Sequence, residues 1–338
     1  MKRVLALLDN KQTKGFLSLG IVVAIWVASG YLAQVIFKSY SFNNSVAVPV
    51  YSMIIGLILL MPLSWRKLTR DVMPSPSQVG ILGLFWLCAQ IPYFLSLQYT
   101  SVPTNMAISA TSTVFTFVFS MLVLKYSFRV WSAVGLALNI AGSLVIVFFN
   151  AEATGDKESG DDVVKETIGG IIFAISAAIS SGLFSCMFKK WVKREENSGI
   201  VFGCFGFVGI LIGIPCILIC HFSGLQEFQV PGWEATLLIL TDAFMCSVIC
   251  NFFFSKAFVY LTPVIVQVGL TTTIPVSFVI TGLILKTHSY PALAILGILL
   301  ICAAVLVVSF DQARYEKILE NKSENDCVQN LNESEMKS

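Results

Sequence analysis

The sequence predicts an all-α polytopic membrane protein whose ten transmembrane helices form two inverted five-helix repeats. Hydrophobic residues make up 56% of the chain and charged ones only 12%, too few to cover a soluble surface, and the apolar residues gather in windows long enough to cross a bilayer. Basic residues fall overwhelmingly on one side of those windows. An internal repeat is also visible: Ser101–Lys125 aligns with Thr262–Lys286 at an offset of 161, which places Ser112 on Thr273, Thr116 on Ser277, Phe117 on Phe278 and Lys125 on Lys286.

The expected spans are 15–37, 46–63, 79–98, 104–124, 130–149, 168–188, 200–222, 235–257, 264–285 and 291–310. With the N-terminus in the cytosol, all but four of the 22 Lys and Arg residues lie on the cytosolic side, the four being Lys38, Lys157, Lys165 and Lys286. Both termini are therefore expected to be cytosolic. Residues 1–14 read as a cytosolic segment with interfacial character, 15–149 as the first repeat and 150–167 as an acidic lumenal linker. The second repeat is 168–310, and 311–338 read as a disordered cytosolic tail. Eight of the nine cysteines fall inside spans and Cys327 in the tail, so no disulfide framework is expected. His221 and His288 lack partners at ligand spacing, and neither a metal nor a cofactor is expected.

In chain order, helix 1 carries Trp26, Ser29, Gly30 and Gln34. Small residues serve close helix packing, whereas Trp26 and Gln34 are candidates for facing a polar cavity. Helix 3 contains Gln90, Pro92 and Tyr93, where the proline frees a carbonyl that something else must satisfy. On helix 4, Asn105, Ser109, Ser112, Thr116 and Ser120 share one face. Such a stripe is first of all helix-packing glue, with a pore lining as the alternative, and Asn105 is more polar than packing requires.

Helix 5 is smooth and reads as structural. Helix 6 repeats helix 1 at an offset of 152, with Ser29-Gly30 on Ser181-Gly182 and Lys38 on Lys190. Because five is odd, the second repeat enters the membrane from the opposite side. Helix 8 holds Asp242, the one acid well inside a span, followed by Asn251 and Lys256. A carboxylate in hydrocarbon is costly enough to mark function, with a structural hydrogen bond as the alternative, while Lys256 is expected to snorkel. The tail carries a tyrosine-based sorting pattern at Tyr315–Ile318 and cytosolic sequons at Asn321 and Asn332; Asn43 lies on the glycosylatable side.

These features resemble the drug/metabolite transporter superfamily, which has two inverted five-helix repeats, cytosolic termini and paired proline- and threonine-rich helices 4 and 9. Within it, IWVAS at Ile25–Ser29, FGFVG at Phe205–Gly209 with Pro215, His221 and Gly224, and LTTTIPVSF at Leu270–Phe278 are similar to solute carrier family 35, subgroup F, in its member-five-like branch. The resemblance implies an alternating-access carrier in an endomembrane (Golgi, vacuole or lysosome, with the plasma membrane as alternative). Its cavity would be lined by helices 1, 3, 4, 6, 8 and 9. Mapped onto this chain, the candidate substrate-binding residues are Trp26, Gln34, Gln90, Tyr93, Asn105, Ser109, Asp242, Asn251, Gln267 and Thr271.

The family's nucleotide-sugar members hold phosphates with basic cavity residues, and here only Lys256 is on offer. Asp242 among aromatics suits a cationic organic solute better, and subgroup F is linked to thiamine. Expected partners are a small-molecule substrate and the lipid bilayer, with no nucleic acid and a homodimer left open. The alternatives are a nucleotide-sugar or other anionic-metabolite antiporter, and a non-transporting scaffold or receptor. The spans hold no paired carboxylates, nucleophile arrangement or metal cluster, so an enzyme is not expected.

Overall fold

Hydrocarbon offers a backbone no hydrogen-bond partner but itself, so long apolar runs must close their bonds within helices. The computed structural model describes residues 11–39, 44, 46–65, 73–99, 108–127, 129–153, 168–224, 228, 231–285, 293, 295–311 and 314, and among these there is no strand. The interfacial segment before residue 11, most of the acidic linker, His288, the sorting pattern and the sequons at Asn43, Asn321 and Asn332 lie outside the described residues.

The helices are α1 (Lys11–Ser39), α2 (Ala47–Trp65), α3 (Pro76–Tyr99), α4 (Ser112–Val123), α5 (Val130–Ala153) and α6 (Ile168–Trp191). Next comes α7, a continuous rod of Glu195–Val208, a π-helical turn Gly209–Gly213 and Ile214–Phe222. A second rod, α8, has the same plan, with Trp233–Phe244, a π-helical Met245–Cys250 and Asn251–Tyr260. The chain continues as α9, broken into Pro263–Leu270 and Thr273–Leu285, and α10, Ile295–Asp311. Of these, α1, α2, α3, α6, α7 and α8 are long and apolar enough to cross a membrane, and the described parts of the other four form shorter apolar helices.

The long helices pack in pairs: α3 along α6, α1 along α8 and α2 along α7, with α4 on α6, α9 on α1 and α4 on α9. Glycines set how closely these rods approach. On α7, a Cβ added at Gly206 would sit 2.3 Å from Leu57 Cβ and 2.6 Å from the Met53 carbonyl oxygen of α2. The α5–α10 seam is equally close, since a Cβ at Gly142 would lie 2.8 Å from the Gly297 carbonyl.

Both α4 and α9 are interrupted at matching places. The Thr111 amide bonds the Ile108 carbonyl at 2.9 Å, and the Thr272 amide bonds the Gly269 carbonyl at 3.1 Å, each a tightened turn in place of the α-helical bond. The hydroxyls of the same two threonines donate to the same two carbonyls, at 2.5 Å and 2.6 Å. Thr271 and Thr273 likewise return their hydroxyls to Val268 and Leu270, at 2.6 Å and 2.8 Å. Pro275 has no amide hydrogen for the Thr271 carbonyl, and Ile274 donates to it instead. The threonine run therefore repairs the backbone around a proline break.

Asp311 departs from the sequence expectation of a tail beginning at that residue. It is buried at the end of α10, where its carboxylate pairs with Arg129 at 3.3 Å and accepts the Ser132 hydroxyl, both from the start of α5. A paired, hydrogen-bonded carboxylate can be buried where a lone one could not.

Replacing Gly206 with Leu is expected to cost about 1–3 kcal/mol or more, because overpacking against backbone cannot relax by rotamer change. The same change at Gly20, which has nothing within 4 Å of an added Cβ, should be tolerated. Thermal unfolding of the two variants in detergent checks the contrast.

Candidate functional site

The geometry of α8 is set by its π-helical turn. In a regular α-helix, residues spaced by four drift steadily around the axis. The wider π turn from Met245 absorbs part of that drift, so Asp242, Cys246 and Cys250 line one face toward α1. Asp242 is buried, and the Cys246 thiol lies 3.8 Å from its Oδ1. From α1, Ser29 lies beside the Asp242 carboxylate and Trp26 beside Cys250. The π turn is itself held in place: the Ser247 hydroxyl donates to the Ser52 carbonyl of α2 at 2.5 Å, and Asn251 Nδ2 donates to the Ser247 carbonyl at 3.2 Å.

Rings close the cluster on one side. Trp26 packs on Phe254 with centroids 5.8 Å apart, and Phe254 continues to Phe258 at 4.7 Å. From there an unbroken aromatic core joins Trp86, Phe184, Phe188, Phe202 and Phe205 of α3, α6 and α7. Among the described residues, no cation pairs with Asp242. A carboxylate in a membrane-spanning segment, bordered by ring faces and neutral donors, can attract a positively charged solute.

The structure thus brings Trp26 and Asp242 together, with Asn251 bonded to the π turn next to them. Gln90 and Tyr93 lie half-buried on α3, where Tyr93 meets the ring of Phe94 edge-on at 5.6 Å. Ser109 is half-buried ahead of the α4 break. Two other candidates sit in helix seams: Gln267 is buried and donates to Ser185 at 2.7 Å on α6, and the Thr271 hydroxyl, which donates to Val268, meets the Asn139 side-chain amide on α5. The Gln34 side chain and Asn105 lie outside the described residues. On α4, Ser112, Thr116 and Ser120 are buried, and Ser120 reaches Cys186 of α6 at 3.4 Å, which is helix packing.

Sequence reasoning passed over four residues that the geometry singles out. Ser29 looked like a packing residue, and Cys246 like filler. Asn139 lay in a helix read as merely structural, yet it is fully buried and its Nδ2 has no partner among the described residues. Lys189 counted only as one more cytosolic charge, yet its ammonium reaches the carbonyls of Phe258, Val259 and Leu261 at 2.7, 2.8 and 3.0 Å.

Comparison with known proteins agrees with this architecture. Residues 13–148 match the EamA-like transporter family. The chain is 23% identical to an uncharacterized vacuolar membrane protein of Saccharomyces cerevisiae, over 89% of this chain and 91% of that one. It is 24% identical to solute carrier family 35 member F5 of Mus musculus, over 61% of this chain and 39% of that protein. A solved crystal structure superimposes with a TM-score of 0.65 at 15% identity, covering 90% of this chain and 99% of that one. The resemblance to the drug/metabolite transporter superfamily and to solute carrier family 35 is borne out.

Thr271→Val would leave buried Asn139 without its partner on α9 and is expected to destabilise the fold by about 1–3 kcal/mol. Thr273→Val removes only a hydroxyl turned back onto its own helix and should cost less. Thermal unfolding in detergent distinguishes the two.

Proposed function

We propose that this chain is a secondary carrier that moves a small cationic organic solute, such as thiamine, across an endomembrane by alternating access. The observation that carries the reading is Asp242, buried on the α8 π turn between Ser29 and Cys246, with the Trp26 and Phe254 rings nearby. The bonding pattern does not suit a phosphate-bearing substrate. Lys189 is engaged with helix carbonyls, and Lys256 sits over the Phe252 ring at 4.5 Å.

Two inverted five-helix repeats are supported by the paired breaks, since Thr111 and Ile108 correspond to Thr272 and Gly269 at the offset of 161. They are supported again by the packing, because advancing each helix five places turns the α3–α6 pair into α8–α1 and returns α2–α7 to itself. Cytosolic termini are supported by the gathering of Lys189, Lys190, Lys193 and Arg194 at the end of the bundle where Gly15 meets Leu261. An endomembrane location draws support from the vacuolar relative. The rocking of one repeat against the other would expose Asp242 to each side in turn.

Flux into proteoliposomes, measured for a panel of organic cations including thiamine and for nucleotide sugars, tests this. A cation should move saturably, and Asp242→Asn should lower that flux about tenfold or more, the scale of removing one charge-assisted hydrogen bond. Normal flux in a folded Asp242→Asn protein would sink the assignment, and no flux of any solute would favour a scaffold or receptor.

A further inference from the structure

We propose that Lys189 is a positioning residue for transport, fastening α8 to α6 so that the pathway is held shut at the Lys189 end of the bundle. This rests on the carrier reading above. The last carbonyls of any helix lack intrahelical donors and carry the negative end of its dipole. At the end of α8 two of these carbonyls, those of Phe258 and Val259, and the Leu261 carbonyl just past the helix converge on the Lys189 ammonium of the neighbouring helix. An ammonium has three donors, so one side chain can serve all three carbonyls.

Immediately inside this clasp the interior is filled. Phe188 and Phe258 are fully buried with ring centroids 5.6 Å apart, Phe202 packs on Phe188 at 5.2 Å, and every residue of Pro263–Leu270 in α9 is buried. Packed rings exclude water without fixing which helix sits against which. Directional bonds from Lys189 supply that registration, and α8 is the helix that carries Asp242. A carrier must break this closure once per cycle, which hydrogen bonds to main-chain carbonyls at a helix end allow without unfolding either helix.

At the offset of 152, Lys189 corresponds to Phe37, which cannot donate to carbonyls. The two repeats thus differ in sequence at this position, and the clasp biases the protein toward closure at the Lys189 end.

The test uses the full chain with Cys250 as its one cysteine, reconstituted in uniform orientation and exposed to a membrane-impermeant maleimide from either side. Cys250 is buried, just inside the aromatic plug. Lys189→Met should raise its labelling from the Lys189 side about tenfold, the scale expected when the closed state is deprived of a charge-assisted hydrogen bond, and leave labelling from the other side no faster. Lys189→Arg, which keeps charged donors, should stay near the parent. Unchanged labelling in folded Lys189→Met, or an equal rise from both sides, would overturn the proposal and leave Lys189 as a structural strut. If the methionine variant does not fold, Lys189→Gln carries the same comparison. Labelling needs no transported solute, so its result is independent of whether Asp242 binds a cation.

Discussion

Inside hydrocarbon, a carbonyl that loses its helical partner has to find another donor within the protein, and this molecule interrupts its helices repeatedly. Several of these interruptions are matched by a side chain of the right length. Threonine hydroxyls bond the carbonyls at the α4 and α9 breaks, Asn251 bonds one in the π turn of α8, and Lys189 gathers those at the end of α8. The polar residues of the spans are thus in large part a consequence of having breaks at all. The breaks, in turn, are what allow a bundle of hydrophobic rods to present a carboxylate and to change shape.

Close approach is the second constraint that the bilayer imposes. Lipid gives helices no hydrophobic reason to associate, so contact area and short backbone distances must hold them. Gly203 and Gly206 of α7 bring that helix against the backbone of Met61 and Met53 in α2. A seam built this way is dense and rests on close backbone approach. That combination suits two units that must stay together while their relative angle changes.

Much of this was legible in the sequence. Apolar windows and basic asymmetry located the helices, and the offset of 161 matched the α4 and α9 breaks that the structure contains. Packing was rightly the first reading of Ser112, Thr116 and Ser120. What escaped was whatever depends on rotation about a helix axis. A π turn adds a residue without any marker in composition, so the alignment of Asp242, Cys246 and Cys250 and their meeting with Ser29 could not be derived from an ideal helix. Gln267 and Thr271 were polar for a reason, but that reason was a partner on α6 and one on α5. Asp311 looked like the first residue of a tail because its partner, Arg129, lies far away along the chain.

The aromatic core joins these elements into one mechanical unit. Its rings run from Trp26, beside the cluster around Asp242, to Phe188 and Phe258, whose neighbours Lys189 and Val259 form the clasp. Rings packed on five helices cannot move singly, because interiors at this density transmit displacement rather than absorb it. On the carrier reading, a solute that displaced Trp26 at the carboxylate would press on Phe254 and Phe258, and so on the end of α8 that Lys189 holds. Binding energy at the proposed site would then be delivered where it can weaken the proposed closure, and the intervening rings would need no polar relay to carry it.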